Sequence, residues 1–259
     1  LLAMDRGEVD GICQTLGAID SSRPGWIEQG KLKVLFNMEP KEIPRLKSGK
    51  PDFQGFYNVP YVPNMAAAGG EPSVPYTDRG REAFRTHDSK DDPTSNCWFP
   101  GVPRIMQSPY PAQIVQTDEY FLILFEYMHM FRSIPLNNRP HPKNMEPMFM
   151  GDSTGHWEGD TIVVDTVGLK DAPWTWLDTA GHQHSDELHV IERFERVPEG
   201  ISYQFTVEDP KMYKEPWTLK RLMTPLKLVP GLPELLEYVC TENNRDVDHL
   251  RSNKPALNQ

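Results

Sequence analysis

Proline occupies 25 of the 259 positions, about twice the usual share of ~5%. Each proline removes a backbone donor and fixes one dihedral, so a helical bundle or a doubly wound α/β fold does not absorb this many. A β-rich chain with long turns does. Apolar residues make up 38% and aromatics 10%, enough to build a core and to exclude disorder throughout. The length suits one large β domain, or one domain with an appended segment.

The prolines also divide the chain. Residues 1–46 alternate charged and apolar positions, with a helical look early and a short strand at 31–36. Residues 47–111 are dense in proline and read as loops wrapping the domain, with one short helix at 77–86 capped by Thr77 or Asp78. From residue 112 the pattern turns to short runs of period two, at 112–117, 120–127, 129–134, 155–157, 161–167, 187–197, 201–208 and 216–223. Asp118-Glu119, Gly159-Asp160 and Pro198-Glu199-Gly200 are the joints between neighbouring runs. Ile201, Tyr203, Phe205 and Val207 alternate with Ser202, Gln204, Thr206 and Glu208, which is one buried and one wet face. Eight such strands in succession predict an antiparallel meander closing into a lipocalin-like barrel over 112–259, with a sandwich or jelly roll as the alternative. Residues 233–238 read as one or two helical turns at the start of a loose tail.

Composition excludes several functions. A net charge of −10 argues against a non-specific nucleic-acid partner, which needs a basic face. No apolar run approaches the ~20 residues of a membrane span, and no signal peptide is visible. The chain starts at Leu1 rather than Met, read here as truncation or processing. The three cysteines, Cys13, Cys97 and Cys240, are far apart and form no CxxC, against a cysteine zinc or thioredoxin-type site. An odd number cannot pair completely within the chain. Cys97 has no close basic neighbour in sequence that would activate it. No nucleotide-cofactor motif is present.

Two stretches resemble known families. MDRGEVDGIC and RPGWIEQGKLKVLF, within residues 1–38, resemble part of the C-terminal lobe of tripartite tricarboxylate transporter periplasmic receptors. The rest of both lobes is missing, so the resemblance implies a fusion remnant and carries no receptor function. Between residues 52 and 225, DFQGFY, CWFPGVPRIMQSPYPAQIVQT, FEYMHMFRSIPLNNRPHP, GDSTGHWEGDTIVVDT, WLDTAGHQHSDELHVIERF and TVEDPKMYKEPWT resemble an uncharacterised family of exported soil-bacterial β proteins. That resemblance implies a periplasmic or secreted location and says nothing of mechanism.

Chemistry concentrates where six of the eight histidines lie, between residues 129 and 189. In the run 187–197, Leu188, Val190, Glu192, Phe194 and Arg196 share a face, which sends Glu192 into the core. In the run 120–134 either phase brings a polar group, Arg132 or His129, into apolar surroundings. A buried carboxylate needs a partner or a raised pKa. Two outcomes are open. The pair Arg132–Glu192 is a structural ion pair, or His129, Arg132, His184 and Glu192 line a cavity as an acid–base site of isomerase, cyclase or lyase type. The partner would be a small hydrophobic or aromatic molecule bound by Phe125, Tyr127, Trp157, Trp174 and Trp176. A non-catalytic carrier of a hydrophobic ligand is the alternative. A third reading takes His182-Gln-His184 with His189 as cupin-like spacing, His184, His189 and Glu187 holding a divalent metal. Ser153 with Asp152 and His156 lacks a GxSxG elbow and reads as turn chemistry.

Overall fold

Alternation along the strands becomes a sheet with one packed face. Ile201, Tyr203, Phe205 and Val207 are all fully buried, as are Ile162 and Val164, and Val190 and Phe194. The computed structural model describes residues 42–66, 74–231 and 234–240. The helix-like stretch and the 31–36 strand expected near the N-terminus lie outside the described residues. The chain divides into two units, Leu1–Glu42 and Ile43–Gln259, and all described residues but Glu42 belong to the second.

Among the described residues nine antiparallel strands form one sheet: β1 Gly55–Asn58, β2 Pro111–Gln116, β3 Tyr120–Phe125, β4 Phe131–Pro135, β5 Asp152–Glu158, β6 Thr161–Val167, β7 His189–Val197, β8 Gly200–Glu208 and β9 Trp217–Pro225. Their spatial order is β4-β3-β2-β1-β9-β8-β7-β6-β5. Eight of these nine correspond to the runs expected from the sequence. The ninth, β1, lies in the segment expected to be loop, and it stands inside the sheet, fourth in the spatial order. It joins the β2–β4 meander to the β5–β9 meander, pairing Gly55 to Asn58 with β2 and only Tyr57 and Asn58 with β9.

Closure into a barrel is not seen. β4 and β5 are the two edges of the ladder, and no strand pairing joins them. They nonetheless approach, because the sheet curls. Asn138 N–H, just past β4, donates to Gly155 O on β5 at 2.9 Å. A Cβ at Gly155 would sit 3.0 and 3.1 Å from side-chain atoms of Leu136 and Ile134, so glycine there lets the edges come this near.

Aromatic rings fill the curl. Phe53 meets Phe121 at 5.7 Å, Phe121 meets Phe194 at 5.1 Å, and Tyr203 packs between Phe194 and Phe205 at 5.0 and 5.4 Å. The interior is a packed core, as in small barrels whose inward side chains meet.

Among the described residues there is one α-helix, α1 Asp78–Thr86, and Thr77 Oγ1 caps it by accepting from Gly80 N–H at 3.0 Å. Gly80 permits close docking, since a Cβ there would fall 2.1 Å from Met212 O. Short 3-10 turns follow at Ser89–Asp91, Pro93–Asn96 and Arg104–Gln107, pinned by a buried Arg104–Asp92 ion pair of 2.6 Å. The helical turns expected at 233–238 do not form in the described part. Residues 234–240 run as irregular chain, tied by a disulfide between Cys97 and Cys240. No described helix is long and apolar enough to cross a membrane.

Candidate functional site

Of the residues singled out in the sequence, Arg132 and Glu192 are brought together. Arg132 Nη1 and Nη2 donate to Glu192 Oε1 at 2.8 Å and Oε2 at 2.5 Å. Both side chains are buried, at 2% and 0% exposure. Tyr203 donates to Glu192 Oε1 at 2.8 Å, and Ser153 and Thr166 hydroxyls sit 3.2 and 3.3 Å from Arg132 Nη2. Burial alone would lower the Arg132 pKa; the Glu192 charge and hydrogen bonds outweigh it and raise it. Burial, then Glu192, pushes the Tyr203 phenol well above its usual range. The carboxylate is thus surrounded by donors and closed off by rings, an arrangement suited to holding the sheet rather than meeting a substrate.

The other members of that set stand apart. The segment 126–130 turns rather than continuing a strand, with Met128 and His129 both in the left-handed region at φ 55° and 49°. The turn switches phase, so Phe121, Ile123 and Phe125 point inward before it and Arg132 and Ile134 after it. His129 is left exposed, its Nε2 accepting from Tyr238 N–H at 3.0 Å. His184 is buried beneath loops, Nε2 lying 2.6 Å from Thr175 Oγ1 and Nδ1 donating to Ser185 O at 3.0 Å; burial lowers its pKa. Glu187 is exposed and pairs with Lys211. His184, His189 and Glu187 therefore do not converge as metal ligands; each answers to different neighbours.

The ligand-facing aromatics separate similarly. Phe125 is core, Tyr127 stacks on Tyr110 and meets Tyr238 edge-on, and Trp157 packs on Phe53 under the Lys50 ammonium. Trp174 stacks on Trp98 at 4.4 Å. Trp176, nearly buried, forms part of the wall of an open cleft of about 570 Å³.

That cleft lies between the end of α1, the 3-10 turns and the 172–183 loop. His87, the residue following α1, lines it with Trp98, Trp176, Asp91 and Gln183. His87 Nδ1 lies 2.5 Å from Phe84 O. A carbonyl oxygen can only accept, so Nδ1 carries a proton and Nε2 is the acceptor in the neutral ring. Gly181 makes room for this ring: its φ is 93°, and a Cβ would fall 2.3 Å from His87 Cδ2 and 2.4 Å from Nε2. Searches against protein-family models, curated proteins and solved structures find no match for the chain. The geometry alone therefore carries the functional reading.

A second polar group lies on the outer face of the sheet, and apart from His189 the sequence reading missed it as a site. Arg139 binds Asp152 through two hydrogen bonds of 2.8 and 2.5 Å. Asp152 Oδ2 lies 2.7 Å from His141 Nδ1, and His141 Nε2 lies 3.1 Å from Asp165 Oδ1. The same oxygen lies 2.8 Å from His189 Nε2, whose Nδ1 is 3.1 Å from Glu208 Oε2. Hydrogen bonding to Arg139 lowers the Asp152 pKa, hydrogen bonding to His189 lowers that of Asp165, and Asp165 in return raises that of His189. The signal was present: Asp165 has opposite phase to Ile162, Val164 and Thr166, and His189 pairs in register with Glu208. His141 comes from an irregular loop, which periodicity does not place.

Proposed function

We propose that the protein binds a small ring-bearing molecule with hydroxyl or amino donors in the cleft beside His87, and that His87 Nε2 is the group there able to take a proton from it. The carrying observation is the fixed His87 ring, its Nδ1 held by Phe84 O and its flank opened by Gly181, between tryptophan walls. Trp98 and Trp176 supply apolar area with little conformational freedom to lose. The Asp91 carboxylate has no hydrogen-bond or ion-pair partner among the described residues and supplies a further acceptor. Acceptors on the protein call for donors on the ligand. The acid–base reading of the sequence thus moves from Glu192 to His87, and a ligand carried inside the sheet loses support because rings fill that space.

The disulfide between Cys97, next to Trp98, and Cys240 supports a periplasmic or secreted location, since such bonds persist in oxidising compartments. The resemblance of residues 52–225 to exported proteins points the same way.

Tryptophan fluorescence titrated with a panel of hydroxy- and amino-aromatic compounds tests the reading. At least one should bind saturably, and Trp98→Ala or Gly181→Ala should weaken it tenfold or more, since the second drives the His87 ring from its place. If none binds, or if both variants bind as the parent does, the cleft is not the site.

A further inference from the structure

We propose that residues 234–240 form a strap that opens as the medium turns from neutral to mildly acidic, with the imidazole of His129 as its latch. Among the described residues the contacts that hold the strap are few. Leu236 N–H donates to Glu126 Oε2 at 2.8 Å, and Tyr238 N–H donates to His129 Nε2 at 3.0 Å. The Tyr238 ring meets Tyr110 and Tyr127 edge-on, and Cys240 is bonded to Cys97. Leu236 and Val239 are 50% and 45% exposed, so they add little buried apolar area. A segment with so few buried contacts belongs to the low end of local stability.

The two acceptors differ in what a proton does to them. A protonated carboxyl keeps acceptor capacity, whereas a protonated imidazole is a donor at both nitrogens. His129 Nε2 can meet the Tyr238 N–H only with its lone pair. Once protonated, it turns an N–H toward an N–H. The other histidines mark the contrast. His141, His156, His182 and His189 each face a carboxylate, a partner that a proton strengthens. His129 faces a main-chain donor, which a proton repels. The turn that carries His129 is closed by its own bonds, His129 N–H to Glu126 O at 3.2 Å and Met130 N–H to Tyr127 O at 3.3 Å. The strap is therefore the side that gives way.

The groups around the latch leave the switching to His129. Glu126 and Tyr127 lie on the same turn, Tyr238 on the strap and Tyr110 just ahead of β2. Behind Tyr127 stands the buried Arg104–Asp92 pair. Burial raises the Tyr127 and Tyr238 phenols, so neither changes charge between pH 5 and 8, where a histidine does. Loss of one hydrogen bond of this kind multiplies the open population roughly fivefold to tenfold. Opening uncovers Tyr110 and Tyr127 while Cys240 stays tied to Cys97, so the strap swings and is not shed.

Amide hydrogen exchange of the full chain, followed by NMR at about pH 7.5 and about pH 5.5 and corrected for the intrinsic rate at each, tests the latch. The Leu236 and Tyr238 amides should lose protection by roughly fivefold or more at the lower pH, while the Phe205 amide in β8 keeps its own. In His129→Gln, whose side-chain oxygen accepts at either pH, the strap amides should stay protected throughout. In His129→Ala, which has no acceptor, they should be as open at the higher pH as the parent is at the lower. The parent alone gives a second reading that needs no variant to fold: its Tyr238 ring-proton signals should move toward those of free tyrosine in step with titration of the His129 ring. If the parent's strap amides keep their protection in acid, if they lose it only together with Phe205, or if folded His129→Gln loses it as the parent does, His129 is not the latch and the proposal fails.

Discussion

At the scale of single residues, Glu192 and Arg132 show how a polar pair is kept in a packed core. Each is costly alone and tolerable together, because bidentate geometry and the Tyr203 hydroxyl satisfy the carboxylate. Glu192→Ala, which leaves Arg132 uncompensated, should destabilise by roughly 3–5 kcal/mol, and Glu192→Gln by less. Replacing both by apolar residues, as in Arg132→Met with Glu192→Leu, should recover most of that loss. Urea denaturation checks the series; a change within about 0.5 kcal/mol for Glu192→Ala would match a surface site and contradict the burial described. The inward placement of Glu192 was legible because Val190 and Phe194 fix the phase of β7. The site histidines were not. His129 and His184 lie in a turn and a loop, where neither period applies, and their partners Tyr238 and Thr175 are distant or irregular in sequence.

Among the elements, the strands were read well where alternation was long, and β1 was missed because four residues beside prolines carry almost no period. The 3-10 turn Tyr127–His129 broke a phase that had been assumed to run on. Residues 233–238 are expected to form one or two helical turns, yet long-range contacts hold the described part of this stretch as irregular chain. Leu236 N–H donates to Glu126, Tyr238 N–H to His129, and the Tyr238 ring meets Tyr110 and Tyr127 at 5.1 and 5.0 Å. Burial, with help from Tyr127 and Tyr110, pushes the Tyr238 phenol up to about 12. The Cys97–Cys240 bond, spanning 143 residues, keeps the strap seated. Cys97→Ser with Cys240→Ser should lower stability by about 2–4 kcal/mol. It should also return one tyrosine to a pKa near ~10 in a spectrophotometric titration. An unchanged titration would mean that the strap docks without its bond.

For the whole molecule, the buried His184 makes stability depend on pH. Its folded pKa is lowered by burial, so below an unfolded pKa of ~6.5 the unfolded chain binds more protons than the folded one. The contribution is fully present above that pH and is lost as pH falls toward the folded pKa, with a slope of at most about 1.4 kcal/mol per unit. Melting temperature should drop between pH 7 and 5, and His184→Gln, less stable overall, should show a shallower drop. Equal slopes in the two proteins would assign the acid sensitivity elsewhere.

Spatial order and chain order disagree most at β1. It is the first strand of the described chain, yet one of its two neighbours is the last: Tyr57 pairs with Pro225. On a ribosome adding ~5–20 residues per second, β1 waits roughly 10–30 s for that neighbour. Through this time its far side is a sheet edge open to wrong partners. Four residues with Pro60 close behind make a poor template for such pairing. The brevity that hid β1 from periodicity is then a protection during synthesis, and the two meanders are stitched together only when the last strand arrives.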